Sequence, residues 1–224
     1  AFFQAEYSKN GLSSFLSGSL SNTSYWRYDR LYYDKKNAES ETKNYLGFTV
    51  KGGANYNFNE HHNAFFNVGY ISRAPKFNYG AFLSFASSNV TNPDAKNEKV
   101  VSFELGYGYR LKWLQVDVNA YWTKWLDKTM AKSSTVGTAQ VDAFVNMTGV
   151  NALHKGIEIE AKASPLYWLD VNAMFSIGDC KWDSNAKGYV FDYNGQPLTK
   201  DGSIASGIGA EDHLSTGINL KGIH

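Results

Sequence analysis

The sequence predicts an all-β fold, an antiparallel up-and-down meander of about nine long strands that forms part of a transmembrane β-barrel. Three observations support this prediction. Apolar and polar residues alternate along most of the chain, short and long connections follow each other in turn, and the tryptophans lie near strand ends. A helical membrane protein is excluded, because no run approaches the roughly 18 consecutive apolar residues that a membrane helix requires.

Period-2 alternation defines the strands. In "LQVDVNAYWTKW", Leu114–Trp125, every second residue from Leu114 to Trp122 is apolar, so an extended chain has one apolar and one polar side. The same pattern predicts strands at Ala1–Lys9, Leu12–Tyr25, Thr42–Phe58, Asn63–Arg73, Lys99–Leu111, Leu114–Leu126, Val145–Ala163, Leu169–Lys181 and His213–Gly222.

The connections alternate between short and long. Short links are predicted at 10–11, 59–62, 112–113 and 164–168, and long ones at 21–41, 74–98, 127–144 and 182–212. In a meander every second link lies at the same end, so one end has tight turns and the other has all the long loops. Outer-membrane barrels have this asymmetry, whereas a soluble sandwich has no reason to keep it.

The tryptophans support a membrane position. Trp113 and Trp168 fall at the short-turn end, and Trp26, Trp122, Trp125 and Trp182 fall at or beyond the far strand ends. Trp113 and Trp122 are nine residues apart, and a tilted membrane strand needs about 9–11 residues. Indole rings prefer the two bilayer interfaces, so the pattern predicts one crossing of an outer membrane.

Ten strand charges lie on the polar parity, and they predict which side of the sheet faces lipid: Glu6, Lys51, Arg73, Glu104, Arg110, Asp117, Glu158, Glu160, Lys162 and Asp170. Leu114, Val116, Val118 and Ala120 are expected to face lipid, and Gln115, Asp117 and Asn119 the wet interior. The residues predicted to line the lumen and to contact a plug are Glu104, Asp117, Glu158, Glu160 and Lys162.

Several stretches in combination resemble TonB-dependent outer-membrane receptors, in the C-terminal part of their barrel. They are "GGANYNFNEHHNAFFNVGYISRAPKFN" (52–78), "NEKVVSFELGYGYR" (97–110), "NAYWTKWLDKT" (119–129) and "NMTGVNALHKGIEIEA" (146–161). The resemblance implies a barrel of about 22 strands in the outer membrane of a Gram-negative bacterium. It also implies energised uptake of a small nutrient, with a plug domain and a TonB-type energy-coupling protein as partners. Ferric siderophores are the default substrate class, while vitamins, haem and oligosaccharides stay open.

Residues 1–224 are expected to be one segment of this barrel domain. Nine strands are too few to close such a barrel, and the chain shows no plug, no TonB box and no closing strand with a terminal aromatic residue. An open sheet edge in lipid would leave backbone groups unpaired at several kcal/mol each. The sequence therefore predicts a fragment of a longer receptor.

No catalytic constellation or cofactor motif is found, so we expect neither an enzyme nor a cofactor. His61-His62 is interpreted as a solvated turn, since adjacent side chains point apart and no third ligand follows. Cys180 is expected to have no partner that would activate it. The formal charge of +1 gives no bulk attraction to nucleic acid.

The first long loop holds the candidate ligand-binding residues. In "YWRYDRLYYDKK" (25–36), aromatic and basic residues are interleaved, and Arg73 follows at the mouth. Aromatic faces stack on sugars or planar ligands, and arginine clamps anionic groups. The candidates are Trp26, Arg27, Tyr28, Arg30, Tyr32, Tyr33 and Arg73. An iron chelate or a carbohydrate would suit this surface, and a loop that only packs on its neighbours is the alternative.

Two other functions stay open on the sequence alone. One is a passive porin-like barrel, which would need no energy coupling. The other is a soluble β-sandwich that binds carbohydrate. The full-length reading frame would separate the first from the importer, and solubility without detergent would favour the second.

Overall fold

The computed structural model describes residues 1–205 and 218–220. This part of the chain forms ten β-strands, and it contains no helix that could span a membrane. The strands are β1 (Phe2–Lys9), β2 (Leu12–Tyr25), β3 (Lys43–Asn57), β4 (His62–Arg73), β5 (Glu98–Arg110), β6 (Leu114–Val136), β7 (Val141–Leu166), β8 (Leu169–Trp182), β9 (Ala186–Phe191) and β10 (Ile218–Leu220).

The strands form one antiparallel sheet. Strands β1 to β7 pair in chain order, β8 pairs with one stretch of β7, β9 pairs with another, and β10 pairs with β9. The predicted meander is therefore confirmed. Within the described residues, a single sheet also leaves no second layer for the β-sandwich that the sequence had left open.

Tight turns define one end of the sheet, which we call the turn end. The first is Asn10-Gly11, where both residues have positive φ values of 50° and 81°. Such a pair matches the two-residue hairpin turns that follow the twist of the strands, and Gly tolerates this conformation without strain. The opposite end, called the loop end, carries residues 26–42 and 74–97.

The register separates two faces along the strands. One row across β5 to β8 is Tyr107–Val118–Ile159–Phe175, and the adjacent row is Gly108–Asp117–Glu160–Met174. We call the side with the first row the apolar face and the other the polar face. Large side chains of the apolar face are well exposed: Phe3, Leu46, Phe48, Val50, Phe66, Val68, Phe103, Leu105, Trp122, Ile157, Ile159, Val171, Phe175 and Ile177. Soluble proteins rarely expose so wide an apolar surface, whereas a barrel in lipid requires one.

Apart from Lys9 beside the first tight turn, the strand charges on the apolar face lie near the loop end. Lys155 lies beside Trp122 and opposite Asp179, and the two charged groups are 3.7 Å apart. One row further on, Lys124 pairs with Asp183 at 2.9 Å. On this face, exposed apolar side chains are therefore replaced by ion pairs at the level of Trp122, as is expected at a bilayer interface.

The predicted long connection at 127–144 is wrong. Strand β6 runs on to Val136 and β7 begins at Val141, so this link is a four-residue turn beyond the membrane level. Consequently Trp122 and Trp125 lie within β6 and not at its end. Irregular register between Trp125 and Met130 hides the period-2 pattern, and packing of Met130 and Val136 on a buried cluster stabilises the extension.

The predicted long connection at 182–212 contains a strand that the sequence analysis missed. β9 pairs with Phe144–Thr148 of β7, past the last pair that β7 makes with β8. The predicted strand His213–Gly222 is described only at 218–220, where β10 lies; its remaining residues are outside the described part of the chain.

Two buried clusters of the described residues lie beyond the membrane level. We call residues 26–42, 74–97, 127–150 and 183–205 the loop layer. One cluster contains Ala143, Val145, Met147, Val150, Ala186, Val190 and Leu198, and the other Leu83, Ala86, Tyr189 and Phe191. The loop layer is therefore a packed structure with its own core.

Candidate ligand-binding site in the loop layer

The first segment of the loop layer folds back on itself and fixes Arg27. The Arg27 N–H donates to Ser40 Oγ at 2.8 Å, and the Ser40 N–H donates to the Arg27 carbonyl at 2.9 Å. Two residues on, the Asp29 N–H donates to the Ala38 carbonyl at 2.8 Å. These hydrogen bonds within one segment fix the backbone of Arg27 without contacts from other segments.

Asn89 from the second segment holds the Arg27 side chain. The guanidinium donates from Nε to Asn89 Oδ1 at 2.6 Å and from Nη2 to Tyr33 Oη at 3.1 Å. Asn89 Nδ2 donates in turn to the carbonyls of Ala38 and Arg27, at 2.8 and 3.2 Å. The guanidinium carbon lies 4.9 Å from the Phe82 ring centre and 5.2 Å from that of Tyr33. Arg27 is therefore fixed by neutral groups and aromatic rings.

The charge of Arg27 is not neutralised by an ion pair within the described residues. Partial burial lowers the pKa of Arg27, against the opposing influence of Tyr33 and Asp29. A guanidinium nevertheless stays protonated in proteins. Burial also raises the pKa of the Tyr33 phenol, which keeps it neutral and able to donate to the Ala86 carbonyl at 3.3 Å. The site thus holds a half-buried cation.

A cavity of about 450 Å³ opens beside this cation. Three segments of the loop layer line it: Arg27, Asp29, Tyr32 and Tyr33 from the first, Asn78 and Ser84 to Ser87 from the second, and Tyr193, Asn194 and Gly195 from the third. Small-molecule sites have this size and this mixture of aromatic rings with a few polar groups. The cavity is the strongest candidate for a ligand site in the described residues.

Phe85 and Tyr193 form the aromatic wall of the cavity. Their rings meet edge to face with centres 5.2 Å apart, and Phe85 also packs on Phe144 with ring centres 4.6 Å apart. Gly195 holds the two segments together, because its carbonyl accepts the Ser87 N–H at 3.1 Å. A Cβ on Gly195 would lie 3.0 Å from the Ser87 backbone, and its φ of +82° also favours glycine.

The structure gathers only some of the predicted ligand-binding residues. Arg27, Tyr32 and Tyr33 line the cavity, while Trp26, Tyr28 and Arg30 do not. Sequence analysis missed Phe85 and Tyr193. The only local signal for them is an aromatic residue within a turn-rich segment, and their distance in sequence from Arg27 hides that they meet.

Arg73 does not line the cavity either. Its Nη2 and Nε donate to Glu98 Oε2 at 2.9 and 3.2 Å. The other oxygen of Glu98 accepts the Thr129 N–H at 3.1 Å and the Thr129 hydroxyl at 3.3 Å. Since Glu98 is only 1% exposed, this arrangement ties β4, β5 and the extended part of β6 together at the loop end.

The residues predicted to line the lumen all lie on the polar face. The Glu104 carboxylate accepts hydrogen bonds from the side-chain amides of Asn67 and Asn119, at 2.9 and 2.7 Å. Asp117 forms an ion pair with Arg110 at 2.6 Å, and Glu160 forms one with Lys162 at 2.9 Å. Glu158 makes no hydrogen bond or ion pair to the described part of the chain. It is the acceptor of this group that is most available to another chain segment.

Cys180 has a partner that the sequence analysis did not foresee, so that expectation is wrong. The register of β7 and β8 places His154 opposite Cys180, with Nδ1 3.2 Å from Sγ. Elsewhere, His61 contacts the Arg110 carbonyl and His62 the Tyr107 hydroxyl. Within the described ranges no group of three or more His, Cys, Asp or Glu side chains could hold a metal ion.

Comparison with known proteins adds one match. The family model for the TonB dependent receptor-like β-barrel matches residues 1–216. No curated protein and no solved structure matches the chain. The family match covers all the strands that carry the apolar face and every residue of the cavity.

Proposed function

Because the chain belongs to the TonB-dependent receptor-like β-barrel family, we propose that it is a segment of an outer-membrane receptor for energised uptake of a scarce nutrient. Members of this family are transporters of the Gram-negative outer membrane and not enzymes. In this proposal the loop layer binds the nutrient outside the cell. A plug domain and a TonB-type protein, both beyond residues 1–224, control its passage.

The observation that carries the proposal is the cavity of about 450 Å³ beside Arg27. A receptor that collects a dilute nutrient benefits from a site that exists before the ligand arrives, since ordering of loops on binding reduces affinity. The core of the loop layer and the Asn89 clamp supply this order. A ferric siderophore, which combines oxygen ligands with flat or aromatic groups, suits a cavity lined by arginine and aromatic rings.

The polar face supports the proposed partner inside the barrel. Glu104, Asp117, Glu158, Glu160 and Lys162 share one side of the sheet, opposite the apolar face. In a barrel of this family that side encloses the plug. We infer that Glu158, without a partner in the described residues, accepts hydrogen bonds from the plug.

A passive porin-like barrel is the competing proposal, and an uptake experiment separates the two. The full-length receptor is produced in a Gram-negative host that lacks its own ferric-siderophore receptors, and uptake of radioactive iron is followed with a panel of ferric siderophores. Uptake that stops on deletion of the host TonB system supports the importer. Uptake that continues unchanged without TonB supports the porin and contradicts the proposal. An absence of uptake with every chelate would rule out ferric siderophores as the substrate class.

A further inference from the structure

The cavity in the loop layer carries a further inference, which rests on the proposed receptor function. We propose that it selects a small molecule with an oxyanion next to an aromatic or flat apolar group, in preference to an uncharged ligand such as a neutral sugar. The oxyanion lies against Arg27, and the flat group lies against Phe85 and Tyr193. This assignment decides between the two ligand classes that the aromatic and basic residues of the first segment suggest.

Arg27 supplies the charge selectivity. A guanidinium has five N–H donors, and Arg27 uses two of them, toward Asn89 and Tyr33. Nη1 donates to no described residue, although the side chain is half-buried and lines the cavity. A carboxylate or similar oxyanion would accept the unused donors with a charge-assisted, bidentate geometry. A neutral ligand that covered this side chain would offer only uncharged acceptors, which offset less of the cost of removing the cation from water.

The protein holds the guanidinium in place for this role. The Arg27 backbone is fixed on both sides by Ser40, and Asn89 bridges the Arg27 side chain, the Arg27 carbonyl and Ala38. A long side chain loses rotamer freedom when it binds a ligand, and here most of that loss occurs on folding. Restraint by neutral groups keeps the positive charge available.

Phe85 and Tyr193 supply the second half of the selectivity. Phe85 is 43% exposed and Tyr193 52% exposed, although Phe85 also packs on Phe144. Phe85 has a φ of 63°, which is unusual for a bulky residue. Such partly exposed rings offer faces and edges to a planar group, where stacked or edge-to-face contact is favourable.

Asp29 is the one carboxylate among the described residues that line the cavity. A substitution of Asp29 therefore tests whether the cavity prefers an anion or a cation. Its Oδ1 accepts the N–H groups of Leu31 and Tyr32 at 2.8 and 3.1 Å, so it caps a turn in its own segment. An asparagine can make the same turn without the charge. Asp29→Asn therefore removes the negative charge and should strengthen binding of an anion, whereas it would weaken binding of a cation.

The experiment compares benzoate with benzamide, two probes of similar shape that differ in charge. Binding to the purified full-length receptor in detergent is measured by saturation-transfer difference NMR, with titration for the dissociation constant. Wild-type receptor should bind benzoate at least tenfold more tightly than benzamide. Arg27→Gln should remove that preference, Asp29→Asn should increase it, and Lys36→Gln, at an exposed residue of the same segment, should leave it unchanged.

A second variant guards against a folding defect in Arg27→Gln. Tyr193→Leu removes a ring of the wall but leaves the hydrogen bonds of Arg27 intact, so it should weaken both probes and keep the charge preference. Hydrogen exchange of the loop layer reports whether each variant keeps its fold. Equal binding of benzoate and benzamide to wild type would overturn the assignment. Loss of binding in Asp29→Asn with retention in Arg27→Gln would overturn it too.

Failure of this inference is distinguishable from failure of the proposed function. TonB-dependent iron uptake that is insensitive to Arg27→Gln, without a charge preference in the probe titration, would remove the ligand assignment and keep the receptor. A benzoate preference that depends on Arg27, together with iron uptake that continues unchanged without TonB, would keep the site and remove the importer.

Discussion

The buried Glu98 at the loop end gives the sharpest prediction about stability. The perturbation is Glu98→Gln, which keeps the size and shape of the side chain and removes its charge. Glu98 accepts two hydrogen bonds from Arg73 and two from Thr129. A glutamine amide has only one oxygen, and its NH2 group takes the place of the other carboxylate oxygen. Either Arg73 or Thr129 therefore loses its hydrogen-bond acceptor and faces a donor.

The expected magnitude follows from which partner loses its acceptor. The Thr129 residue is 1% exposed, so the glutamine oxygen should stay with Thr129 and the amide NH2 should face Arg73. Hydrogen bonds to charged groups contribute about 1.5–3 kcal/mol. Arg73 has a side chain that is 54% exposed and can turn to water, which reduces the loss. We therefore expect local destabilisation of about 2 kcal/mol, or roughly 30-fold in an opening equilibrium.

Hydrogen exchange measured by mass spectrometry on the full-length receptor in lipid nanodiscs tests this value. Peptides that contain Thr129 should exchange about 30-fold faster in Glu98→Gln under conditions where exchange reports equilibrium opening. The matched control is Glu158→Gln, at a strand glutamate without a partner in the described residues, and it should leave these peptides unchanged. The same exchange rate in Glu98→Gln and wild type would refute the assigned role of Glu98, as would an equal effect of both variants.

Three further predictions concern the membrane face, the loop layer and its pH dependence. Val118→Arg should lower the free energy of unfolding in lipid vesicles by roughly 2–4 kcal/mol, whereas Ser176→Arg on the polar face should have little effect. Equal effects of the two variants in urea titrations would contradict the assignment of the apolar face to lipid. Asn146→Leu leaves buried backbone groups unpaired at about 1–3 kcal/mol, so trypsin should cut the loop layer faster, and an unchanged rate would count against the Asn146 contacts. Burial, together with Asp94 as hydrogen-bond acceptor, raises the pKa of Tyr189 to about 12. Because this value is above that of an unfolded tyrosine, about 10, the protonated Tyr189 side chain stabilises the fold at neutral pH, and this stabilisation is lost as pH rises from about 10 to about 12. Tyr189→Phe should abolish that pH-dependent loss when hydrogen exchange of the loop layer is followed against pH.

Local patterns were sufficient for the strands within the membrane. The predicted strand Asn63–Arg73 is observed as His62–Arg73, and Lys99–Leu111 as Glu98–Arg110. The alternation is strict there because lipid on one side and a polar interior on the other act on every residue. Where the chain leaves the membrane, that constraint ends. The strand character of 127–136 and 186–191 then depends on packing against the buried clusters, which no local pattern encodes.

The sequence by itself determined the fold class, the two faces of the sheet and the family resemblance, because all three follow from residue order within single strands and short motifs. It also singled out Arg27, Tyr32 and Tyr33. Only the tertiary structure decided that these residues line a cavity and that Arg73 is held by Glu98 instead. The reason is physical: Arg27 and Asn89 are 62 residues apart, and their contact exists only because the segments of the loop layer pack on a common core.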